Sequence, residues 1–166
     1  MPRPYAPGVT STGLPTTIPA VATSASLEVV DANRMWEVLH SPLAPVRNLA
    51  RAVFTHPASR GFWPDLEREQ YAVVAALRFA ALRSRSADEA LRLARELSAA
   101  DPVFRRLWAR TRVSPRLRAR VLIRHPALGP LTFHRITTVS GPHLTHVYRP
   151  AGGQAAADSV ALLALL

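Results

Sequence analysis

The sequence predicts a single α+β domain, because a block of helical patterns is followed by three β-like segments. At 166 residues the chain can bury one proper core. Apolar residues make up 48% and charged residues 19%, which is typical of a globular protein. Residues 1–16 are rich in Pro, Gly, Ser and Thr and predict a flexible tail, so the domain is expected over residues 17–166.

The helical part begins after two short strands, near residues 20–22 and 27–30. A short helix is predicted over ANRMWEVLH, and apolar residues at helical spacing predict two more helices over residues 46–55 and 64–83. We expect Pro64 at the first helical position. Two further helices are indicated by their start signals, a capping box at Ser86 and a cap at Asp101 followed by proline.

The β-like part follows Ser114 and Pro115. Strands are predicted near residues 120–124, 131–139 and 144–149, which are rich in Thr, Val, Ile, Phe and Tyr. Gly141 and Pro142 predict a hairpin turn between the last two strands. The pattern of residues 155–166 predicts a final amphipathic helix. The three strands predict an antiparallel set that follows the helical block along the chain.

Charge is concentrated in one half of the chain. The net charge is +10, and residues 102–157 hold ten arginines but no Asp or Glu. The most basic stretch, FRRLWARTRVSPRLRARVLIRHP, is predicted to be a helix, a proline hinge over residues 111–118 and a strand. It is therefore interpreted as a solvated basic face rather than a DNA-reading arm.

Six segments together resemble a known family. They are RNLARAVFTHP (47–57), FWPDLEREQYAVVAALR (62–78), LARELSAADPVFRRLWAR (93–110), LIRHPALGPLTFHRITT (122–138), LEVVDANRMWEVL (27–39) and HVYRPAGG (146–153). Taken in their order along the chain, they resemble the C-terminal ligand-binding domain of MmyB-like transcription regulators. The resemblance covers about residues 15–166.

This resemblance implies a PAS-like fold, in which a helical block packs on one side of an antiparallel sheet and encloses an apolar pocket. It implies a sensor domain of a transcription regulator that binds a small hydrophobic, fatty-acid-like ligand. Family members carry a helix-turn-helix domain before this one, and residues 1–16 show no such pattern. Specific DNA binding is therefore not expected of this chain alone.

No residue pattern indicates an enzyme or a resident cofactor. The chain has no cysteine, no HExxH motif, no G-x-S-x-G context and no Gly-rich phosphate loop. His143 and His146 are three residues apart, which on a strand places them on opposite faces. We therefore predict no catalytic residue and no metal ligand.

Three residues are candidates for a ligand headgroup. Arg124 and the adjacent His125 stand at a strand end, where the arginine fork would suit a carboxylate. The alternative is that Arg124 is a surface residue and that His125 caps the turn. Tyr148 alternates with His146 and Leu144 on one strand face, and its hydroxyl is a further candidate.

For the other candidate residues, a structural role is the alternative to ligand contact. Asn33 and Asn48 stand near helix starts, where capping competes with ligand contact as their role. Large aromatic residues are most simply core, although some must line any cavity. The aromatic candidates for ligand contact are Trp36, Phe54, Trp63, Phe104 and Trp108.

Two other functions remain open from the sequence. The arginine-rich half would suit a nucleic-acid-binding module, and a dimerisation domain without a ligand is the third interpretation. The sequence is compatible with a homodimer and does not determine the oligomeric state. No apolar run approaches a membrane span, and the N-terminal segment lacks a signal-peptide pattern, so we expect no membrane partner and a cytoplasmic location.

Overall fold

The computed structural model describes residues 13–82, 87–111 and 117–166. Its strands form one antiparallel sheet in the order β2-β1-β5-β4-β3, so the predicted α+β class is confirmed. The two short N-terminal strands join this sheet because β1 pairs with β5, the last strand of the chain. The strands are β1 Ala20–Ser24, β2 Val29–Ala32, β3 Arg118–His125, β4 Gly129–Ser140 and β5 His143–Pro150.

Helices occupy the segments between β2 and β3 and the C-terminus. The longest helix has Asp65 as its N-cap and begins at Leu66, two residues after Pro64, which was predicted to be its first residue. The predicted capping box at Ser86 lies outside the described residues. The helices are α1 Arg34–Leu39, α2 Leu49–Phe54, α3 Ser59–Phe62, α4 Leu66–Ala81, α5 Ala87–Ala100, α6 Pro102–Arg110 and α7 Gln154–Ala161.

Short helical turns complete the chain. Residues 41–43 and 162–165 form 3₁₀ turns, so the predicted C-terminal helix ends at Ala161 and tightens into the second of these turns. Among the described residues no helix is both long enough and apolar enough to cross a bilayer.

The main core lies between the helices and one face of the sheet. On β3, Val121 and Ile123 are buried in this core, while Arg120 and Arg124 are exposed on the alternate positions. On the other face, Leu14 packs on Ala20 and Ala22 in a separate small cluster. The helical block therefore covers one side of the sheet.

Candidate functional site

A cavity of about 70 Å³ lies between the helices and the inner face of β4 and β5. Helix α4 forms one wall through one side of its surface, from Glu69 to Phe79. Strand β4 forms the opposite wall with Arg135, Thr137 and Val139. These positions are two apart in the strand and point to the same face because side chains alternate. The cavity therefore follows α4 and β4 lengthwise.

The polar end of the cavity holds an ion pair. Arg135 Nη1 is 2.6 Å from Glu69 Oε2, and only 15% and 5% of the two side chains are exposed. Burial by itself would lower the pKa of Arg135, but the Glu69 carboxylate and the neighbouring Tyr148 hydroxyl together outweigh that effect and raise the pKa. Removing charges from water is costly, and each charge here is compensated by the other.

Two further polar groups stand beside this pair. Tyr148 lies opposite Arg135 in the β4–β5 register, and both side chains line the cavity. Burial raises the pKa of the Tyr148 hydroxyl, and Arg135 opposes this shift without cancelling it. The ring of His40 lies 5.8 Å from the Tyr148 ring, centroid to centroid. Tyr148 therefore keeps its proton and can donate it to a partner.

His40 is held in one uncharged form. Its Nδ1 is 3.0 Å from the Trp36 carbonyl oxygen, which can only accept a hydrogen bond. Nδ1 therefore carries the proton and Nε2 is the acceptor of the ring. Burial lowers the pKa of His40 to about 3. Trp36 stacks on the ring at 4.2 Å and fixes its orientation.

His146 is the second uncharged histidine of the cavity wall. Its Nδ1 is 3.0 Å from the Thr137 hydroxyl, and its Nε2 is 3.4 Å from the Thr23 hydroxyl. Burial lowers the pKa of this ring to about 3, and the charge of Arg135 acts in the same direction. The polar cluster, defined as His40, Glu69, Arg135, Thr137, His146 and Tyr148, thus has no net charge.

The other end of the cavity is apolar. Val139 lies opposite Leu144 in the β4–β5 register, next to the hairpin turn, and Phe79 and Ala76 cover this end from α4. With a rise of about 3.4 Å per residue, Arg135 and Val139 are about 13 Å apart along the strand. The cavity is therefore elongated and changes from polar to apolar along its length.

Leu27 contributes a strained section of the wall. Its φ of 64° lies in the left-handed region, which costs a bulky residue about 1–2 kcal/mol. Its backbone is held by hydrogen bonds from the Leu27 amide to Ser24 and from the Leu49 amide to the Leu27 carbonyl. This backbone conformation places the Leu27 side chain in the cavity wall, where it is only 2% exposed.

A family model describes almost the whole chain. The model of the MmyB-like transcription regulator ligand binding domain matches residues 15–163. The chain belongs to this family. A search of curated proteins gave no significant match. The MmyB-like assignment makes the chain a ligand-binding domain of the transcription-regulator type, and the family is not a known enzyme family.

Of the ligand-contact candidates in this MmyB-like domain, Trp63 and Tyr148 line the cavity. The predicted face that Tyr148 shares with His146 and Leu144 is confirmed, since all three are buried in the wall. Trp36 lies behind His40 and contributes through that ring rather than directly.

The remaining aromatic candidates form a separate cluster. Phe54 and Phe104 meet edge to face at 4.9 Å, and Phe104 stacks with Trp108 at 5.8 Å. None of the three is among the residues of the cavity wall. They pack α2 against α6 instead.

Both asparagines cap helices. The Asn33 side-chain oxygen accepts from the Trp36 amide, and its nitrogen donates to the carbonyls of Pro15 and Ile18. The Asn48 side-chain oxygen accepts from the first amides of α2. Neither residue is part of the cavity wall, which agrees with the capping interpretation.

Arg124 and His125 also lie outside the cavity wall. Arg124 is exposed, because it occupies the alternate position to the buried Ile123 on β3. His125 is buried, and its Nδ1 accepts from the Ala127 amide in the turn while its Nε2 donates to the Val38 carbonyl. This geometry corresponds to the turn-capping alternative for His125.

Sequence reasoning did not select the Glu69–Arg135 pair or His40. Glu69 interrupts the apolar stripe of α4, three residues after Leu66 and four before Val73, and a charge at such a position signals a buried partner. Arg135 likewise follows the inward alternation of Leu131 and Phe133 on β4. Both signals are visible in the sequence, but neither identifies the other residue of the pair.

The described residues contain no group of three or more His, Asp or Glu side chains arranged to hold a metal ion. On β5 the exposed His143 and the buried His146 lie on opposite faces, as their spacing predicts. The side chains of the cavity wall therefore offer a ligand hydrogen bonds and apolar contacts.

Proposed function

We propose that this MmyB-like domain is a sensor that binds a fatty-acid-like ligand, namely an aliphatic chain with one polar end, in the cavity beside α4. The observation that carries the proposal is the polarity of the wall. Hydrogen-bonding groups gather at the Arg135 end, and aliphatic and aromatic side chains cover the Val139 end. Ligand pockets typically combine a large apolar surface with a few convergent polar groups.

Shape and volume indicate how such a ligand would enter. The cavity volume of about 70 Å³ is below the roughly 300–1,000 Å³ of common ligand pockets. A long chain therefore requires the wall to move. Burying each methylene contributes about 0.8 kcal/mol, so longer chains gain affinity until wall movement limits the gain.

Mass spectrometry of the purified chain tests the proposal. A co-purifying aliphatic molecule should add mass under native conditions and disappear on denaturation, and lipid extraction should identify it. Added ligand should also raise the melting temperature, because a ligand that binds only the folded state stabilises that state. A chain that carries no such molecule and is not stabilised by any aliphatic compound would refute the proposal.

A cavity-filling substitution supplies the specific control. Ala76 lines the cavity from α4, and Ala76→Leu should lower ligand affinity by occupying the apolar end. Ala109 is exposed on α6, so Ala109→Leu adds the same side chain to a helix without touching the cavity. Equal affinities in the two variants would place the ligand elsewhere.

A second function has one observation in its favour. Six arginines in the described part of residues 104–126 are exposed, three on α6 and three on β3, and make the surface of both elements basic. Such a surface attracts phosphates without reading base sequence. We therefore propose only weak, sequence-indifferent nucleic-acid contact for it. The PAS-like fold and the cytoplasmic location stay predictions.

A further inference from the structure

The polar end of the cavity has a charge balance that restricts its ligand. Glu69 and Arg135 are paired at 2.6 Å, and both side chains are largely withdrawn from solvent. The neighbouring groups are neutral side chains, namely His40, His146 and Tyr148. The cluster therefore has no unpaired positive charge to offer a buried anion.

Other arginines near this end do not change the balance. Arg68, Arg118 and Arg120 line a surface groove that shares Glu69 with the cavity, but all three are exposed. Solvent screens exposed charges, so they compensate a buried anion poorly. A ligand carboxylate at the cavity end would have to displace Glu69 from Arg135 or remain unpaired.

The same cluster suits a neutral group that both donates and accepts. His40 donates from Nδ1 to the Trp36 carbonyl, which leaves Nε2 as an acceptor on the ring that lines the cavity. Tyr148 also lines the cavity and keeps its phenolic proton, because burial raises the pKa of its hydroxyl, so it can donate that proton. A hydroxyl can donate to His40 and accept from Tyr148 at the same time.

We propose that the polar end of the ligand is uncharged, as in a long-chain alcohol, and that the Glu69–Arg135 pair excludes free carboxylates. This inference rests on the proposed function, because it assumes that an aliphatic ligand occupies the cavity. It assigns Glu69 the role of a specificity residue that neutralises Arg135. It also assigns the headgroup contacts to His40 and Tyr148 and not to Arg124.

A matched ligand series tests the inference on the intact chain. Binding of 1-decanol, decanoate and decylamine is measured by calorimetry near neutral pH, below the concentrations at which they form micelles. The three compounds share one tail and differ in headgroup charge. We expect 1-decanol to bind at least about tenfold more tightly than either charged compound, because each would bury an unpaired charge.

A charge-neutralising variant reverses the expected preference. Glu69→Gln keeps the side-chain shape but leaves Arg135 unpaired, so decanoate should gain at least about tenfold in affinity relative to 1-decanol. Glu67→Gln is the control, because Glu67 is exposed on the first turn of the same helix and its change should leave the ratio as it is. Thermal melts establish that both variants are folded, and the wild-type series decides the question if Glu69→Gln is not.

The outcomes separate the two proposals. Decanoate binding as tightly as 1-decanol to the wild type would overturn the uncharged headgroup and leave the aliphatic ligand intact. An unchanged ratio in folded Glu69→Gln would overturn the role of Glu69. Absence of binding by all three compounds would overturn the proposed function, and the inference with it.

Discussion

Two buried histidines make the stability of the domain sensitive to acid. The pKa of His40 and that of His146 are both lowered to about 3 by burial. In the unfolded chain a histidine has a pKa of about 6.5. Between these values the unfolded state binds more protons than the folded state. The free energy of unfolding should therefore fall as pH is lowered from about 6.5, by up to about 1.4 kcal/mol per pH unit for each histidine.

Chemical denaturation between pH 7 and 5 measures this dependence. His146→Asn should lessen the pH dependence, because one of the two suppressed protonation sites is removed. His143→Asn on the same strand is the matched control, since His143 is exposed. If wild type and His146→Asn lose stability equally with falling pH, the neutral state of His146 is not linked to folding.

The hydrogen bonds of the Asn33 side chain lead to a second prediction, which concerns the stability of the domain. Its nitrogen donates to the carbonyls of Pro15 and Ile18, and its oxygen accepts from the Ala20 and Trp36 amides. Asn33→Asp keeps the accepting oxygen but removes both donors and directs a charge at two carbonyls. The variant should lose at least about 2 kcal/mol of stability in urea denaturation.

Asp101→Asn is the comparison for this change. Asp101 caps α6 by accepting from the Phe104 amide, and an asparagine can make the same bond. Its loss should stay below about 0.5 kcal/mol, because Asn and Asp are similar N-cap residues. Similar losses in Asn33→Asp and Asp101→Asn would mean that the amide donors of Asn33 are dispensable.

The role of a single residue can be predicted from the sequence for helix caps but not for the buried ion pair. Asn33, Asn48 and Asp101 are recognisable because a cap and its helix are neighbours in the chain. Glu69 and Arg135 are 66 residues apart, and their contact exists only once α4 has packed on β4. Local pattern therefore identifies caps but cannot assign the partners of a polar cluster.

Arg78 joins two helices of the core. It extends from α4, donates a hydrogen bond from Nη1 to the Trp108 carbonyl on α6, and places its guanidinium 5.0 Å from the centre of the Trp108 ring. Arg78→Met keeps much of the aliphatic stem but removes both interactions. We expect a loss of about 1–3 kcal/mol in the free energy of unfolding.

Arg68→Met is the matched control on the same helix. Arg68 is exposed and lies 3.7 Å from Asp65, and exposed pairs of this kind contribute little. Its change should stay within about 0.5 kcal/mol. A loss for Arg68→Met as large as that for Arg78→Met would show that helix charge, and not the Trp108 contact, determines stability.

Secondary-structure elements are predictable where one pattern dominates. The hairpin turn at residues 141–142 and the alternation of β3 follow from local sequence, and both are confirmed. The four-residue helix α3 is too short for a periodic pattern to appear. The pairing of β1 with β5 connects strands more than a hundred residues apart, and no local signal determines it.

In the described part of the arginine-rich half, the exposed arginines stand on a helix and a strand rather than on an extended arm. Arg105, Arg106 and Arg110 are exposed on α6, and Arg118, Arg120 and Arg124 are exposed on β3. Each phosphate contact lowers the logarithm of the binding constant by about 0.9 per decade of salt. We expect weak, sequence-indifferent DNA binding that is largely lost near physiological salt.

Titration against an operator-like duplex and a scrambled duplex at low and physiological salt tests this expectation. Both duplexes should bind equally, and both should dissociate as the salt concentration rises. Tight binding that resists salt and prefers one sequence would instead favour the nucleic-acid-binding module.

The sheet divides the molecule into two compartments. Leu14 and the β1 residues Ala20 and Ala22 pack on the face opposite the cavity, so the chain reaches residue 13 on that outer side. Strand β5 has side chains in both compartments, with His146 in the cavity wall and Val147 against the outer cluster. Any effect of the ligand on this outer cluster must therefore cross one layer of backbone. Because β5 also pairs with β1, a displacement of this strand would reach the outer side without a separate linker or hinge.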